Sequence, residues 1–322
     1  MSVFPEFYDI DAAKERLEWV SNSRKLAAPD DTLGVMFTRS AAPARVQVVG
    51  ADRGRSRVAV EEADGVSELV VEITGIVLKT DLPPVEDRLP TGRDKARYIR
   101  QSIKLAGLES PHFAGALQDV KAIRDVFLRS VAGNIQAADN LSEEDGGSID
   151  ISNRYFSSGR DVDPSKAVPF SNNVDPRGYL AALSSPAFVH TTDNEVSYVM
   201  YVQDPKVAKA RYIPCSPAAI KVGDLVTCKM AFCLVPLPRH SESKWKVLHV
   251  LRAIALMDTS LTEEAHTTSI FENLHFTPKT TFVTNPTLKR GNTTFVGALT
   301  APPKRSRRLS IDDVEDAIVS DK

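Results

Sequence analysis

The stretch from Pro214 to Asp258 constrains this chain more than any other, because it holds the longest run of strand-forming residues between the plainest turn signals. Gly223-Asp224 marks a turn that launches a strand over Leu225 to Leu237, and Pro236, Pro238, Arg239, His240 and Ser241 mark the loop that ends it. A second strand follows over Trp245 to Met257. The two read as an antiparallel pair joined by a loop of about eight residues, longer than the commonest hairpin connections.

The residues Gly223-Asp224-Leu225-Val226, Phe232 through Pro236, Lys246-Val247-Leu248 and Leu251-Arg252-Ala253-Ile254-Ala255-Leu256 followed by Asp258 also carry a family resemblance. This pattern resembles a segment that recurs in uncharacterised proteins of mushroom-forming fungi, and it covers about one seventh of the chain. The resemblance implies a fungal source and a shared β-rich module. It implies no activity and assigns no residue a role.

Upstream, Ile10, Ala13, Leu17 and Val20 fall at helical spacing within Ile10 to Leu26, and Asp9 or Asp11 can cap the first turn. Thr32 to Thr38, Ala44 to Val49, Arg57 to Glu61 and Val66 to Lys79 are rich in Val and Ile, and turn-forming separators divide them. They read as an antiparallel β-meander. After a proline-rich connector, Arg93 to Ala106 and Phe113 to Val131 read as two helices, a pair suited to covering an open sheet face. From Asn134 to Val174 the composition turns to Ser, Asp, Asn, Glu and Gly, which offsets too little ordering entropy and reads as a mobile insertion. Pro176 to Ser184 reads as a short helix. Phe188 to His190 and Val196 to Val202 read as a hairpin around Thr-Thr-Asp-Asn-Glu, and Leu261 to Leu274 as a helix.

The expected class is therefore α+β, an antiparallel β-meander with a helical pair and a second β-rich module, for which a small barrel is one form open. The expected divisions are 1–133 for the meander and helices, 134–175 for the insertion, 176–299 for the second module and 300–322 for a disordered tail.

A formal net charge of −2, from 40 basic and 42 acidic residues, argues against a chain-wide polyelectrolyte binder and leaves any nucleic-acid contact to a local patch. Arg93, Arg97, Arg100 and Lys104 fall at intervals of four, three and four, so a helix would align them. Each could then contact a phosphate, with Arg53 and Arg55 extending the patch and Tyr98 among the aromatics available for stacking. A solvated helix face is the plainer account of the same residues. In the tail, Lys304, Arg305, Arg307 and Arg308 have the composition of a nuclear import signal, implying an import receptor as partner. Ser310 follows Arg307-Arg308-Leu309 as a candidate phosphorylation site that would mask those cations.

Cys215, Cys228 and Cys233 are too few for a disulfide scaffold and read as reduced, intracellular thiols. The N-terminus lacks a signal-peptide pattern, and no apolar run approaches the roughly 20 residues of a membrane span. No metal site is expected, since Cys228 and Cys233 would face opposite sides of a strand and His240 and His249 show no matching spacing. No cofactor motif occurs: neither Gly-x-Gly-x-x-Gly, nor a Walker loop, nor His-Glu-x-x-His, nor Gly-x-Ser-x-Gly is present. Asp224 and Asp258 read as turn caps, and Arg252, set among apolar residues, as either a paired buried cation or a groove-facing one.

These readings converge on a non-catalytic, intracellular and nuclear binding protein that contacts nucleic acid through a local basic patch. A protein-only scaffold or self-assembling structural protein, with an oligomer allowed, fits the near-neutral charge equally well. An enzyme of unrecognised type is the third class, with no catalytic residue assigned.

Overall fold

The computed structural model describes residues 3–27, 32–33, 46–51, 55–62, 65–87, 96–131, 134–135, 141–142, 146–202, 211–237 and 244–275. Contacts divide the chain into Met1–Phe276 and Thr277–Lys322, and every described residue belongs to the first unit.

The strands are β1 (Val46–Ala51), β2 (Arg55–Glu62), β3 (Gly65–Glu68), β4 (Val70–Asp81), β5 (Arg100–Ala106), β6 (Asn134–Ile135) and β7 (Leu141–Ser142) in the first half. They continue as β8 (Ser148–Arg154), β9 (Ser157–Ser158), β10 (Phe188–Val189), β11 (Ser197–Val202), β12 (Arg211–Pro214), β13 (Leu225–Pro236) and β14 (Lys244–Asp258). Three α-helices stand among the described residues: α1 (Ile10–Ala27), α2 (Pro111–Ser130) and α3 (Ser260–His275). The fold is thus α+β and dominated by one mixed sheet.

That sheet runs β1-β2-β13-β4-β5-β8-β14-β11-β12, and β13 pairs β14 as well. The pairings of β13, β4, β5, β8 and β14 therefore form a closed circuit. Every step in the circuit is antiparallel except β8 with β14. Closing so few strands demands sharp local twist, which bulges provide. Val77 faces Leu105 while Lys79 faces Lys104, leaving Leu78 as an extra residue. Lys229 faces Ala253 while Met230 faces Leu251, leaving Arg252 as another. The second bulge shifts the burial phase of β14, so Val247, His249 and Leu251 point inward before it and Ile254 and Leu256 after it.

β8 and β14 share only one registered pair, Val250 with Ser152. Side chains take up the backbone groups that such a loose step leaves over. Asn153 Nδ2 donates to the Leu251 carbonyl at 3.2 Å, and His249 Nδ1 donates to the Asp150 carbonyl at 3.2 Å. This accounts for a buried Asn and a buried His between two strands.

The enclosed core holds Ile73, Ile103, Leu105, Ile149, Ile151 and Phe232, and α2 adds Phe113, Leu117, Val120, Ile123 and Phe127 to the same cluster. Ser110 caps α2, accepting from the His112 and Phe113 amides, and Pro111 opens it. Helix α1 covers the outside of β4 and β13, packing Ala13, Leu17 and Val20 against Ile76 and Leu225. This double cover explains why Val71 through Val77 are buried without alternation.

Several expectations need correction. The described part of the expected helix Arg93 to Ala106 is not helical: Ala96–Tyr98 is one 3-10 turn and Arg100–Ala106 is β5, so α2 stands without the expected helical partner among the described residues. Flanking strands β4 and β8 decide this, because Gln101, Ile103 and Leu105 also fit a two-residue period. The polar stretch 134–175 was expected as a mobile insertion, yet it supplies β8 to the centre of the sheet. Phe188 to Val202 is not a hairpin, since β10 pairs β9 while β11 pairs β12 and β14, and Thr192–Asn194 is a 3-10 turn. The N-terminal strands and the expected second module share one sheet. The tail 300–322 lies outside the described residues.

Candidate functional site

A groove of about 360 Å3 crosses the outer face of the strand circuit. Alternation builds it. On β5, Gln101, Ile103 and Leu105 turn inward, so Arg100, Ser102 and Lys104 turn out. On β8, Ile149 and Ile151 turn inward, so Asp150, Ser152 and Arg154 turn out. The register sets Arg100 beside Arg154, Ser102 beside Ser152 and Lys104 beside Asp150. Lys79 of β4 stands on the other side of Lys104.

From that edge the groove continues over β14 and β13, where Leu248, Val250, Cys233 and Val235 form an apolar, half-buried floor. Arg57 of β2 and Arg252 complete the rim. Both are tied down. Arg252 donates through Nε at 3.0 Å and Nη2 at 2.7 Å to Glu68, and through Nη1 at 2.6 Å to the Asp193 carbonyl. Arg57 donates to Glu68 at 2.9 Å and to Asp193 at 2.7 Å. Burial pulls the Arg57 pKa down, but the Asp193 hydrogen bond and the Asp193 and Glu68 charges outweigh it and hold it above the ordinary value. This side of the groove is a neutralised network that fixes shape.

The other side keeps its charge differently. Arg100 is exposed, its Nε rests on the Tyr98 carbonyl at 3.4 Å, and among the described residues it has no carboxylate partner. Burial pushes the Asp150 carboxyl up, against the opposing pull of Lys104 and Lys79. Just before β5, Tyr98 is 57% exposed and Arg97 lies over its ring at 4.7 Å. A positive edge and an apolar floor thus occur on one surface, with the exposed Tyr98 two residues before Arg100 in the chain.

Of the residues singled out in the sequence, Arg100 and Lys104 share this face, while Arg97 lies in the preceding 3-10 turn. A strand's two-residue period aligns Arg100 and Lys104, in place of the expected helical one. Arg55 belongs to β2, while Arg53, Arg93, Lys304, Arg305, Arg307, Arg308 and Ser310 lie outside the described residues. Arg154 was missed, although Ile149 and Ile151 alternating with Asp150, Ser152 and Arg154 carried the signal. Asp224 takes the Lys221 amide at 2.8 Å and the Thr262 hydroxyl. Asp258 takes the Ser260 amide at 2.9 Å and Arg16 at 2.5 Å. Both are caps, as expected, and neither meets Arg252.

No protein-family model matches the chain, and no curated protein matches it. Among solved structures, gp2.5, a single-stranded DNA binding protein encoded by bacteriophage T7, is similar over 60% of this chain and 87% of that one. The identity is 12% and the TM-score 0.30, a superposition too loose to bear on function.

Proposed function

We propose that this chain is a non-catalytic binding protein for single-stranded nucleic acid, and that the closed strand circuit is a small Greek-key barrel of the oligonucleotide-binding kind. In such barrels the outer face of the second and third strands receives the ligand. Those strands here are β5 and β8. The observation that carries the reading is the side-by-side placement of Arg100 and Arg154 at the edge of an apolar-floored groove on that face. Phosphates lie along Arg100, Arg154, Lys104 and Lys79, while bases turn toward Leu248, Val250 and Val235 or stack on Tyr98. Sequence-tolerant binding of single strands needs this combination of a basic track and ring-accepting surface. A nuclear location follows on the same proposal from Lys304, Arg305, Arg307 and Arg308, which an import receptor would read, with Ser310 phosphorylation opposing it.

The test is equilibrium binding of labelled single-stranded DNA, single-stranded RNA and duplex across a salt series, with Arg100→Glu/Arg154→Glu beside the parent. Each phosphate contact contributes a slope of roughly 0.7 in log affinity against log salt on a single strand. The double variant is expected to lower affinity and to flatten the slope by about 1.4. Equal affinities and slopes for parent and variant would remove the groove from the reading.

A protein partner is the second reading, favoured by β12. Among the described residues this strand ends the sheet path, and all four of its residues, including Tyr212 and Ile213, are exposed. An open edge of this kind accepts an added strand. Such an interface would bind with little dependence on salt.

A further inference from the structure

Beside the groove, the segment between β8 and β11 encloses a second recess of about 380 Å3, and the two share Asn194 and Arg252. Its wall is aromatic. Phe170 stacks on His190 with ring centroids 3.8 Å apart and 23° between planes, and meets Tyr155 edge-on at 6.2 Å. Tyr155 and His190 are buried, while Phe170 is half-buried at the opening.

The polar groups around this wall include two acceptors, on His190 and Glu195. His190 Nδ1 lies 2.7 Å from the Tyr155 carbonyl, which can only accept, so Nδ1 carries the hydrogen and Nε2 presents a lone pair. Glu195, Ser171 and Ser197 stand exposed on the rim. Two of the donors nearby are engaged, Gln101 Nε2 at the Asn194 carbonyl at 3.3 Å and Arg252 at Glu68 and Asp193, while the Tyr155, Ser171 and Ser197 hydroxyls can donate as well as accept. A flat apolar wall bordered by acceptors and hydroxyls suits a planar heterocycle with N–H groups on its edge. It does not suit a phosphate or a carboxylate.

We propose that this recess takes one unstacked nucleobase bearing an exocyclic amino group from a strand lying in the adjoining groove. Adenine or cytosine then binds in preference to thymine or uracil. This rests on the groove reading, and it adds base preference to binding that would otherwise be sequence-tolerant. Stacking on the Phe170 ring and acceptance of the amino hydrogens supply the preference.

The experiment compares oligo-dA with oligo-dT on the parent, Phe170→Leu, Glu195→Gln and Arg100→Glu/Arg154→Glu, and follows the His190 ring resonances by NMR as adenosine or thymidine is added. In the parent, oligo-dA is expected to bind about tenfold tighter, the order of one stacked base. Phe170→Leu removes that difference and leaves oligo-dT affinity unchanged. Glu195→Gln, on the exposed rim, narrows it. Adenosine shifts the His190 signals in the parent and in the arginine double variant, whereas thymidine does not. Equal responses to the two nucleosides, or a silent adenosine titration, would overturn the recess assignment even if oligonucleotides bind. An adenosine response without any oligonucleotide binding would sustain the recess and strike down the groove.

Discussion

His249 shows how one side chain can be fixed by topology and then govern a solution property. It is buried where β8 and β14 barely pair, donating to the Asp150 carbonyl and lying edge-on to Phe232 at 5.8 Å. Burial lowers its pKa to about 4, against an ordinary value near 6.5, so the folded ring resists a proton that the unfolded chain accepts. Between those two values the unfolded state binds more protons. Stability therefore rises with pH across that window: the neutral-His contribution is whole above pH 6.5 and is lost as pH falls toward 4. Burial lowers His190 in the same direction. Urea denaturation at steps from pH 7 to pH 4.5 should show stability falling for the parent. His249→Gln should be less stable at pH 7 but should lose less on acidification. An unchanged pH slope in that variant would mean the ring is not held neutral in the native state.

At the scale of elements, the most constrained joint is the turn from β5 into α2. A Cβ built on Gly107 would stand 2.4 to 2.6 Å from three atoms of Phe113, and Phe113 is a fully buried member of the core. Gly107→Ala must displace that ring or the helix start, so it should cost about 1–3 kcal/mol as an overpacked core does. A lower urea midpoint at constant slope would register this, whereas an unchanged midpoint would show that the joint has slack. Sequence periodicity made much of this level legible. Apolar residues at helical spacing located α1 and α2, acidic residues at a positive end located α3, and a long strand-forming run between turn residues located β13 and β14. It failed at β5, where arginines spaced by four and three satisfied a helix while Gln101, Ile103 and Leu105 satisfied a strand. No local rule could choose, because the neighbours that decide are β4 and β8. Arg154 was hidden differently: Ile149 and Ile151 alternate with Asp150, Ser152 and Arg154, but the polar composition around them outweighed that short pattern. Arg252 was legible as an internal cation, but its bulge, and hence its aim at Glu68, exists only in the pairing with β13.

For the whole molecule, closure of the circuit is the governing fact. Ile76 of β4 pairs with Leu225 of β13, so the first seam joins residues far apart in sequence, and β8 from the polar stretch is needed to connect β5 with β14. A chain organised in this way cannot be cut at the boundaries that composition suggests. Residues 1–133 would leave β4 and β5 without β13 and β8, exposing Val71, Ile73 and Ile103 from a core they share with Phe232 and Leu251. Residues 176–299 would keep β13, β14, β11 and β12 but lose β4 and β8, exposing Cys228, Met230, Phe232 and Leu251 from the same shared core. Each fragment alone should show collapsed amide dispersion by NMR and no cooperative urea transition. Met1–Phe276 should unfold in one transition seen alike by tryptophan fluorescence and by circular dichroism. A dispersed spectrum with a sharp transition from either fragment would mean that it folds without the shared seam. The groove, whose rim draws on β2, β5, β8 and β14 together, is then expected to bind nothing in either half, because Arg100 and Arg154 become neighbours only when β5 and β8 are joined.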